Sequence, residues 1–591
     1  MRLPILPELY ANRDFIEAFG GYNHNLRIGD GEFYDMKNLT SSFYPLLAPR
    51  KKRGVLCETT GTPLKLIEKD ALCYVSVSNG NLFFNMNGNE YDLGITTVNA
   101  DIERGLTSMG AYVIIMPDKK YINTADTTDK GNIEASYISP ADENVLFDVC
   151  RADGTSYEIN MVSPNEPTEN IINGYVWLDT SATPNSLKVY SEASAMWTSV
   201  ATTYIKITAT GIGANFNEFD GVKVSGVNID SANDLNNTMV IYAKGDDYIV
   251  VVGILNDAYS ITQEEQITVE RLMPEMDFIV ESNNRLWGCR YGLNRDGDIV
   301  NELYASKLAD FKNWNCFLGL STDSYYVSLG TDGQFTGAFS YLGQPIFFKE
   351  NCLHMVYGNY PAQYQVQDTA CRGVQKGSEK SLSMVNEVLY YKSRTSICAF
   401  DGSLPVELSS NFGEKSYSNA VGCGHKNKYY ISMQDNSNGE YVIFVLDTEK
   451  GMWHKEDNTQ IKDFCSIDDE LYYIDGTQTI KTMFGSGTVS AEQTEWMAET
   501  GILGCSAIDK KYISRLSVRL SMEVGTRVSF FIEYDSSGVF EQVCTLAGHN
   551  LRTHTVPIRP KRCDHLRLRI VGKGDAKIYS ISKTVEQGSD I

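Results

Sequence analysis

The chain of 591 residues carries 52 lysines and arginines against 75 aspartates and glutamates, a formal net charge of −23 at pH 7. This length exceeds what one hydrophobic core supports and predicts several domains. A hydrophobic content of 42% excludes an intrinsically disordered chain, and the acidic balance disfavours general binding to nucleic acid, because it repels phosphates.

The chain lacks the sequence features of membrane and exported proteins. No run of about 18 apolar residues occurs, so we predict no membrane segment. The first residues, MRLPILPELY, lack the apolar stretch of a signal peptide. The 13 cysteines are dispersed and include no C-x-x-C pair, which favours reduced thiols over a disulfide framework or a zinc module. We therefore expect a protein that is not exported by the usual route.

Residues typical of strands dominate from the N-terminus onwards and predict an all-β protein. Tyr (35), Phe (24) and Gly (48) are abundant, and aromatic strands alternate with Asn, Asp and Gly turns. Residues 1–60 are predicted to form an N-terminal segment that closes or flanks the next domain. A short apolar-aromatic unit then recurs, usually just after a turn, at residues 81–84, 111–114, 284–287, 345–348, 388–391, 428–431 and 470–473.

The spacing of this unit predicts a β-propeller. Its last four copies lie about 40 residues apart, which is the length that four short strands and their turns need in one propeller blade. Seven copies predict about seven blades, with six or eight left open. We assign residues 61–139 to the first part of the propeller and residues 272–485 to the second part.

Two segments depart from this period. Residues 140–271 separate the second copy from the third by far more than one blade, and they contain hairpins of their own, for example at residues 175–179 and 187–190. We predict that they form an inserted small β domain. Residues 486–591 lack the repeat but contain alternating strands, and they are predicted to form a C-terminal β-sandwich.

Motifs of enzymes and cofactor sites are absent. The sequence contains no G-x-S-x-G, P-loop, G-x-G-x-x-G or H-E-x-x-H motif. Propeller glycosidases use paired carboxylates, but one sequence does not show which of its many acids meet in space. We predict that the chain is not an enzyme, and we assign no catalytic, cofactor-binding or metal-binding residue and no cofactor.

The segment NRDGD, from Asn294 to Asp298, has the alternating oxygen atoms of a calcium loop. Such a loop lies between helices and ends on a glutamate at its twelfth position. Here Ala305 occupies that position, and both flanks have the pattern of strands. Asp-Gly between strands is typical of a hairpin connection. We favour a turn and keep a metal site as the alternative.

Three further groups have both a structural and a functional interpretation. The basic cluster Arg50-Lys51-Lys52-Arg53 is predicted to be a solvated turn, with contact to a nucleic acid or an acidic partner as the alternative. His549, His554 and His565 are expected to be ordinary hydrogen-bonded residues rather than ligands. Packing is favoured over a sugar platform for Trp177, Trp197, Trp287, Trp314 and Trp453.

Several segments carry a family resemblance. They are FGGYN at 19–23, GEFYDMKNL at 31–39, YPLL at 44–47, Arg50 with Arg53-Gly54, and residues 273–277, 284–288, 304–306 and 389–402. Together they resemble tailed-phage virion proteins labelled packaged-DNA stabilisation proteins, a group similar to the tail hub or nozzle proteins of short-tailed phages. The resemblance covers most of the chain, but its motifs are structural and transfer no catalytic residue.

The resemblance implies a β-propeller protein of the virion tail at the portal vertex, assembled in the host cytoplasm. It implies a homo-oligomeric ring, with a hexamer favoured, whose partners are the portal, the adaptor and other tail proteins. Packaged double-stranded DNA would be retained by this ring and would pass through its channel without specific binding. The net charge of −23 motivates the hypothesis that an acidic channel wall lets DNA slide.

Two other functions stay open at this point. A receptor-binding or glycan-binding propeller protein of the virion tail would hold cell-surface glycans with the insert or the sandwich. A glycan-cleaving enzyme on a propeller is the third possibility, and it requires converging carboxylates.

Overall fold

The computed structural model describes residues 11–96, 98–99, 102–231, 234–256, 258–503 and 510–587. In this part of the chain the regular structure is strand, apart from short 3₁₀ helices at Ser41–Phe43, Pro361–Gln363, Glu379–Ser381 and Ser410–Phe412. The predicted all-β class is confirmed. Within the same ranges, none of the helices has the length and apolar character needed to cross a bilayer.

Six four-stranded sheets outside residues 135–271 are each built from four consecutive strands in the described ranges, and we number them I to VI. Sheet I contains Thr62–Glu68, Leu72–Ser78, Asn81–Met86 and Asn89–Asp92. Sheet II contains Gly105–Met109, Tyr112–Met116, Lys120–Asn123 and Lys130–Asn132. Sheet III contains Phe278–Ser282, Arg285–Leu293, Ile299–Ala305 and Tyr325–Ser328.

The next three sheets follow the same order of strands. Sheet IV contains Phe335–Tyr341, Gln344–Lys349, Cys352–Tyr357 and Gln365–Ala370. Sheet V contains Ser383–Val385, Val388–Lys392, Ile397–Phe400 and Val406–Glu407. Sheet VI contains Tyr417–His425, Lys428–Asp435, Tyr441–Asp447 and Met452–Lys455.

Sheet VII is completed by a strand from the other end of the chain. Its first three strands are Asp463–Ile467, Glu470–Ile474 and Thr479–Thr482. The fourth is Gly54–Glu58, which pairs antiparallel with the third strand and also with the short strand Thr488–Val489. Hydrogen bonds between strands therefore join residues near the N-terminus to the last sheet of the series.

The chain divides into two compact units. The first comprises Met1–Arg104, Phe348–Leu353 and Thr369–Ile591, and the second comprises Gly105–Phe347 and His354–Asp368. Within the first unit, the leading strands of sheets V, VI, VII and I contact one another in that order; within the second, those of sheets II, III and IV do so. Asp463 of sheet VII accepts hydrogen bonds from the Lys65 Nζ and the Leu66 backbone N–H of sheet I, both at 2.7 Å.

Six of the seven predicted copies of the apolar-aromatic unit lie in the second strand of their sheet. The copy at residues 81–84 differs, because it lies in Asn81–Met86, the third strand of sheet I. Both inner strands of a four-stranded meander are paired on two sides and buried, so both carry an apolar pattern. Val75 of the second strand and Phe84 of the third are fully buried.

Residues 135–271 form three sheets from their own strands. One contains Ala135–Ile138, Thr268–Arg271, Gly221–Ser225 and Thr238–Val240. The second contains Ala243–Lys244, Tyr248–Val252, Tyr204–Thr208, Val145–Cys150 and Ser260–Gln263. The third contains Met161–Ser163, Val176–Asp179, Ser186–Ser191 and Met196–Ser199. One apolar cluster, including Phe147, Leu178 and Val224, connects all three sheets.

Two larger sheets contain strands from both ends of the chain. One contains Ala11–Ile16, Ala576–Gln587, Lys511–Met522 and Arg552–Val556. The other contains Gly21–Tyr22, Glu32–Lys37, Glu495–Thr500, Leu566–Lys573, Arg527–Tyr534 and Glu541–Ala547. Leu39–Thr40 pairs separately with Ala48–Pro49. Both larger sheets contribute to one hydrophobic cluster, and the predicted domain bounds stay predictions.

Close packing in this cluster requires a glycine opposite a tryptophan. Trp496 and Gly572 are directly paired on neighbouring strands, and the Trp496 side chain is almost completely buried. A Cβ atom at position 572 would lie 2.0 Å from the indole ring. The Trp496 indole N–H also donates to the Gly574 carbonyl at 2.8 Å, which fixes the ring against the neighbouring strand.

Candidate functional site

The NRDGD segment is the connection between the second and third strands of sheet III, as Leu293 pairs with Ile299. The Asn294 N–H donates to the Asp298 carbonyl at 2.9 Å, and the Asp298 N–H donates to Asn294 Oδ1 at 2.8 Å. Gly297 has a φ of 88°, a conformation that favours glycine. The predicted hairpin turn is confirmed.

Side chains of this turn make ion pairs with Lys223 of the insert and with Glu134, which precedes it. Asp296 lies 3.0 Å from Lys223 Nζ, and Arg295 lies 3.2 Å from Glu134. All four side chains are partly exposed to solvent, so these pairs contribute little stability. The arrangement directs the oxygen atoms of the turn to backbone N–H groups and lysine, and no group of three or more metal-ligating side chains occurs among the residues that the structure describes.

The basic cluster at residues 50–53 is divided between two environments. Arg50 and Arg53 are largely buried and form four ion pairs with Glu456 and Asp457, at distances of 2.8 to 3.3 Å. Burial alone would raise the pKa of Asp457, but the two guanidinium groups outweigh it and lower this pKa. The prediction of a solvated turn is therefore wrong for both arginines, because acids distant in sequence neutralise them.

The two lysines of the cluster line a cleft instead. This cleft of about 670 Å³, which we call the lysine cleft, is also lined by Phe43, Val489, Leu551 and Lys577. The Lys577 Nζ lies 4.2 Å from the centre of the Phe43 ring, within the range of a cation–π contact. Lys52 Nζ donates to the Ser490 carbonyl at 3.4 Å. Glu523 and Asp575 line it as well, so the lysine cleft combines lysines in excess over acids with exposed apolar side chains.

A smaller cleft of about 330 Å³ shares Phe43 and Lys51 with the lysine cleft and also contains Lys428. The Lys428 Nζ donates to the hydroxyl groups of Thr40 and Ser42, at 3.3 and 3.0 Å. Burial lowers the pKa of Lys428, and Asp447 opposes this only in part. The second cleft therefore adds one more cation that is held by hydroxyl groups rather than by a carboxylate.

A second arrangement of charges lies in the first unit, between the loop residue Glu103 and the 3₁₀ helix Glu379–Ser381. Glu103 forms an ion pair with Lys380, and Glu379 interacts with Glu103 through a hydrogen bond and through charge repulsion. Burial, followed by the charge of Glu103, raises the pKa of Glu379 to about 7. Burial acts to raise the pKa of Glu103 as well, but Lys380 outweighs it and the pKa is lowered. These two carboxyl groups can together hold one proton near neutral pH.

The histidines of the C-terminal sheets differ from one another. The rings of His549 and His554 stack with their centres 4.3 Å apart, and the Nε2 atom of each is buried without a hydrogen-bond partner among the residues that the structure describes. His549 Nδ1 lies 2.8 Å from the Asn550 carbonyl oxygen, so it carries the proton. His565 bonds to Ser536 and to Asp564. The expectation of ordinary hydrogen bonding therefore fails for the free ring nitrogens of the first two.

The tryptophans that were singled out in the sequence are packing residues. Trp177, Trp287, Trp314 and Trp453 are each at most 4% exposed. Trp197 is partly exposed and meets Trp177 edge to face, with ring centres 5.3 Å apart. Burial of this kind contributes stability through apolar area and leaves none of the four buried rings available as a platform for a sugar.

Sequence reasoning missed Lys428, Lys577 and the Glu103–Glu379 pair. These residues come from separate strands and turns, and no local motif surrounds any of them. For Lys51 and Lys52 the signal was present as a run of basic residues. The sequence could not separate them from Arg50 and Arg53, since the separation depends on Glu456 and Asp457.

Comparisons with known proteins place this chain in no family. No family model matches it, and no curated protein matches it. Among solved structures it is similar to the computationally designed protein Ika8, with a TM-score of 0.31 and 9% identity over 73% of this chain and 99% of that one. It is also similar to PorZ, a surface component of the type-IX secretion system of Porphyromonas gingivalis, with a TM-score of 0.23 and 10% identity over 91% of this chain and 82% of that one.

A third similar structure is the exo-β-1,3-galactanase of Phanerochaete chrysosporium, with a TM-score of 0.20 and 8% identity over 52% of this chain and 94% of that one. TM-scores this low carry no argument about function.

Proposed function

We propose that this chain is a structural protein of a tailed-phage virion, an oligomeric tail hub or nozzle at the portal vertex. In this role it retains packaged DNA and forms part of the channel for DNA ejection. A homo-oligomeric ring, with a hexamer favoured, contacts the portal, the adaptor and other tail proteins. The ring assembles in the host cytoplasm, and double-stranded DNA passes through it without specific binding.

We propose that the detailed architecture is a β-propeller of seven blades, formed by sheets I to VII, with an inserted β domain and a C-terminal β-sandwich. Two arcs of adjoining leading strands, V–VI–VII–I and II–III–IV, support it, because blades of a propeller meet along their innermost strands. The strand Gly54–Glu58 supports closure, since it adds the outer strand of sheet VII from the start of the chain.

One observation carries the functional proposal. The N-terminal residues that bear the family resemblance are those that connect the parts of the fold. Phe19, Tyr22, Phe33 and Met36 are buried in the cluster of the two larger sheets, and Gly54 begins the closing strand of sheet VII. A resemblance in residues with this connecting role indicates a shared architecture, which is what a structural ring protein requires.

Direct imaging of the purified full chain tests the proposal. Mass photometry and negative-stain microscopy should show closed rings, with six copies expected and a central channel. Duplex DNA should bind the rings only weakly at physiological salt, because the net charge is −23. A chain that stays monomeric at every concentration contradicts the proposal, and so does a compact two-fold dimer.

A second candidate function is binding of receptor glycans, and one aromatic cleft in the second unit favours it. This cleft of about 390 Å³ is lined by Phe317, Tyr326 and Tyr360. Phe317 and Tyr326 are 47% and 57% exposed, and exposed ring faces can stack on sugars. Glycan-array binding that is lost in the Phe317→Ala/Tyr326→Ala variant, but kept in Tyr259→Ala, would support this function over the first.

We also predict that the chain is not an enzyme. A glycosidase would require converging carboxyl groups; Glu103 and Glu379 form one such pair, and Glu103 is paired with Lys380. Release of sugar from glycan substrates, abolished by Glu379→Gln and unaffected by Glu495→Gln, would overturn this prediction.

A further inference from the structure

Four lysines around Phe43 have no carboxylate within ion-pair distance in the described part of the chain. Lys51, Lys52 and Lys577 line the lysine cleft, and Lys428 lies in the adjoining one. Nearby acids such as Asp447, Glu456 and Asp469 are already paired with Lys450, the two arginines and Lys426. Glu523 and Asp575 also line the lysine cleft, so the four lysines leave a small local excess of positive charge on a protein whose net charge is −23.

Exposed apolar side chains accompany these cations. Phe43, Val489 and Leu551 line the lysine cleft and are 42%, 38% and 54% exposed. Exposed apolar side chains that are clustered, rather than scattered singly, mark sites of interaction. The lysine cleft thus offers two kinds of contact at once, namely charge attraction and burial of apolar area.

This combination discriminates between classes of partner. A phosphate backbone would use the lysines but would leave Val489 and Leu551 in water. A polypeptide surface with carboxylates and apolar side chains would use both kinds of contact. Another copy of this chain is acidic overall, since its acids outnumber its bases by 75 to 52.

We propose that the lysine cleft is half of a subunit interface, which receives an acidic and apolar surface of a second copy of this chain. This inference rests on the proposed ring, because rings are closed by heterologous contacts, in which two different surfaces of each copy meet. Because its lysines outnumber Glu523 and Asp575, the lysine cleft would be repelled by an identical cleft across a two-fold axis. It therefore fits a head-to-tail contact.

Charge reversal in the full-length chain tests the interface. Lys51→Glu/Lys577→Glu should reduce ring formation at least about tenfold in mass photometry, because it places acids against the acidic surface of the neighbour. Lys37→Glu/Lys561→Glu is the matched control. It changes the net charge equally at two exposed lysines outside both clefts and should leave the rings intact. Lys51→Arg/Lys577→Arg should retain the rings, and circular dichroism checks that every variant is folded.

The outcomes separate the two proposals. Rings in both the wild type and the Lys51→Glu/Lys577→Glu variant overturn the interface and leave the proposed function standing. A wild-type two-fold dimer that this variant abolishes supports a subunit contact at the cleft but contradicts the ring. A monomeric wild type contradicts both. Binding of short DNA that the variant loses, while its rings persist, would reassign the lysine cleft to phosphate and overturn the inference.

Discussion

The NRDGD hairpin and the basic segment at residues 50–53 are both short runs of charged residues, but different kinds of contact determine their roles. In the hairpin, Asn294 and Asp298 satisfy each other within a few residues. In the basic segment, Arg53 depends on Glu456 and Asp457, which are far away in the chain. Local chemistry decides the first segment, and tertiary contacts decide the second.

This difference shows which charged motifs can be interpreted from sequence. A turn whose hydrogen bonds are internal forms in any surroundings, so its sequence pattern predicts its structure. A run of like charges has no internal partners, and its role depends on the groups that the fold brings next to it. Arg50 and Arg53 thus became structural, while Lys51 and Lys52 stayed available for contact.

The largest expected effect concerns the long-range ion pairs of the basic segment. Arg53→Ala should lower the free energy of unfolding by about 3 kcal/mol or more, because it leaves Glu456 and Asp457 largely buried with one cation fewer. Its neighbour in sequence is the control: Lys52→Ala should change stability by less than about 0.5 kcal/mol. Guanidinium unfolding followed by tryptophan fluorescence measures both. Equal losses would refute the division of the basic segment.

A second long-range contact gives the next largest effect. Gly572→Ala should cost about 2 kcal/mol, since its new Cβ would overlap the buried indole of Trp496. Gly105→Ala, also in a strand, lacks such a steric clash, as nothing lies within 4 Å of that position, and serves as the comparison. An unchanged unfolding midpoint for Gly572→Ala would show that the two strands can shift to accept the new methyl group without a loss of stability.

The carboxyl pair predicts an effect of pH. Folding raises the pKa of Glu379 from 4.5 to about 7, so the folded state binds more proton between these values. The stability from this group is therefore present below pH 4.5 and is lost as pH rises through about 7. The free energy of unfolding of Glu379→Gln, relative to that of the wild type, should therefore rise by on the order of 1–2 kcal/mol between pH 5 and pH 8.

Denaturation at several pH values measures this difference between variant and wild type. The control is Glu495→Gln, at an exposed carboxylate, which should keep the pH dependence of the wild type. Parallel curves for Glu379→Gln and the wild type would show that Glu379 is not protonated in the fold near neutral pH.

The smallest effect concerns the NRDGD turn, whose hydrogen bonds are local. Gly297→Ala should lower the free energy of unfolding by about 1 kcal/mol, because the φ of 88° strains a residue with a Cβ. The space around the position is open, so the cost is conformational only. Gly297→Asn should cost less, since asparagine adopts positive φ more readily. A loss as large as that for Arg53→Ala would mean that the turn has tertiary contacts.

The repeat in the sequence predicted much of the fold. Units such as residues 388–391 and 428–431 lie in corresponding strands of sheets V and VI, because inner strands need apolar residues on both faces. The unit at residues 81–84 lies in the third strand of sheet I instead, since both inner strands of a meander have this composition. The pairing of Gly54–Glu58 with Thr479–Thr482 had no local signal, because strand pairing leaves no pattern that identifies a distant partner.

The candidate site was predictable only in part. The basic run drew attention to Lys51 and Lys52, but Lys428 and Lys577 stand alone among ordinary residues of strands. Their proximity to Phe43 results from the pairing of distant strands and from the turn at Ser41–Phe43. A cleft of this type is a property of several segments together, and its composition cannot be obtained from any one of them.

By itself, the sequence determined the all-β class, the approximate repeat of four-stranded sheets and the turn at Asn294–Asp298. These follow from local propensity and from the alternation of apolar and polar residues, which act over a few positions. Only the tertiary structure decided which strand completes sheet VII, which cations are neutralised and which remain exposed. Charges interact through space with whatever the fold places within a few ångströms, so their roles were settled by partners that the local sequence does not specify.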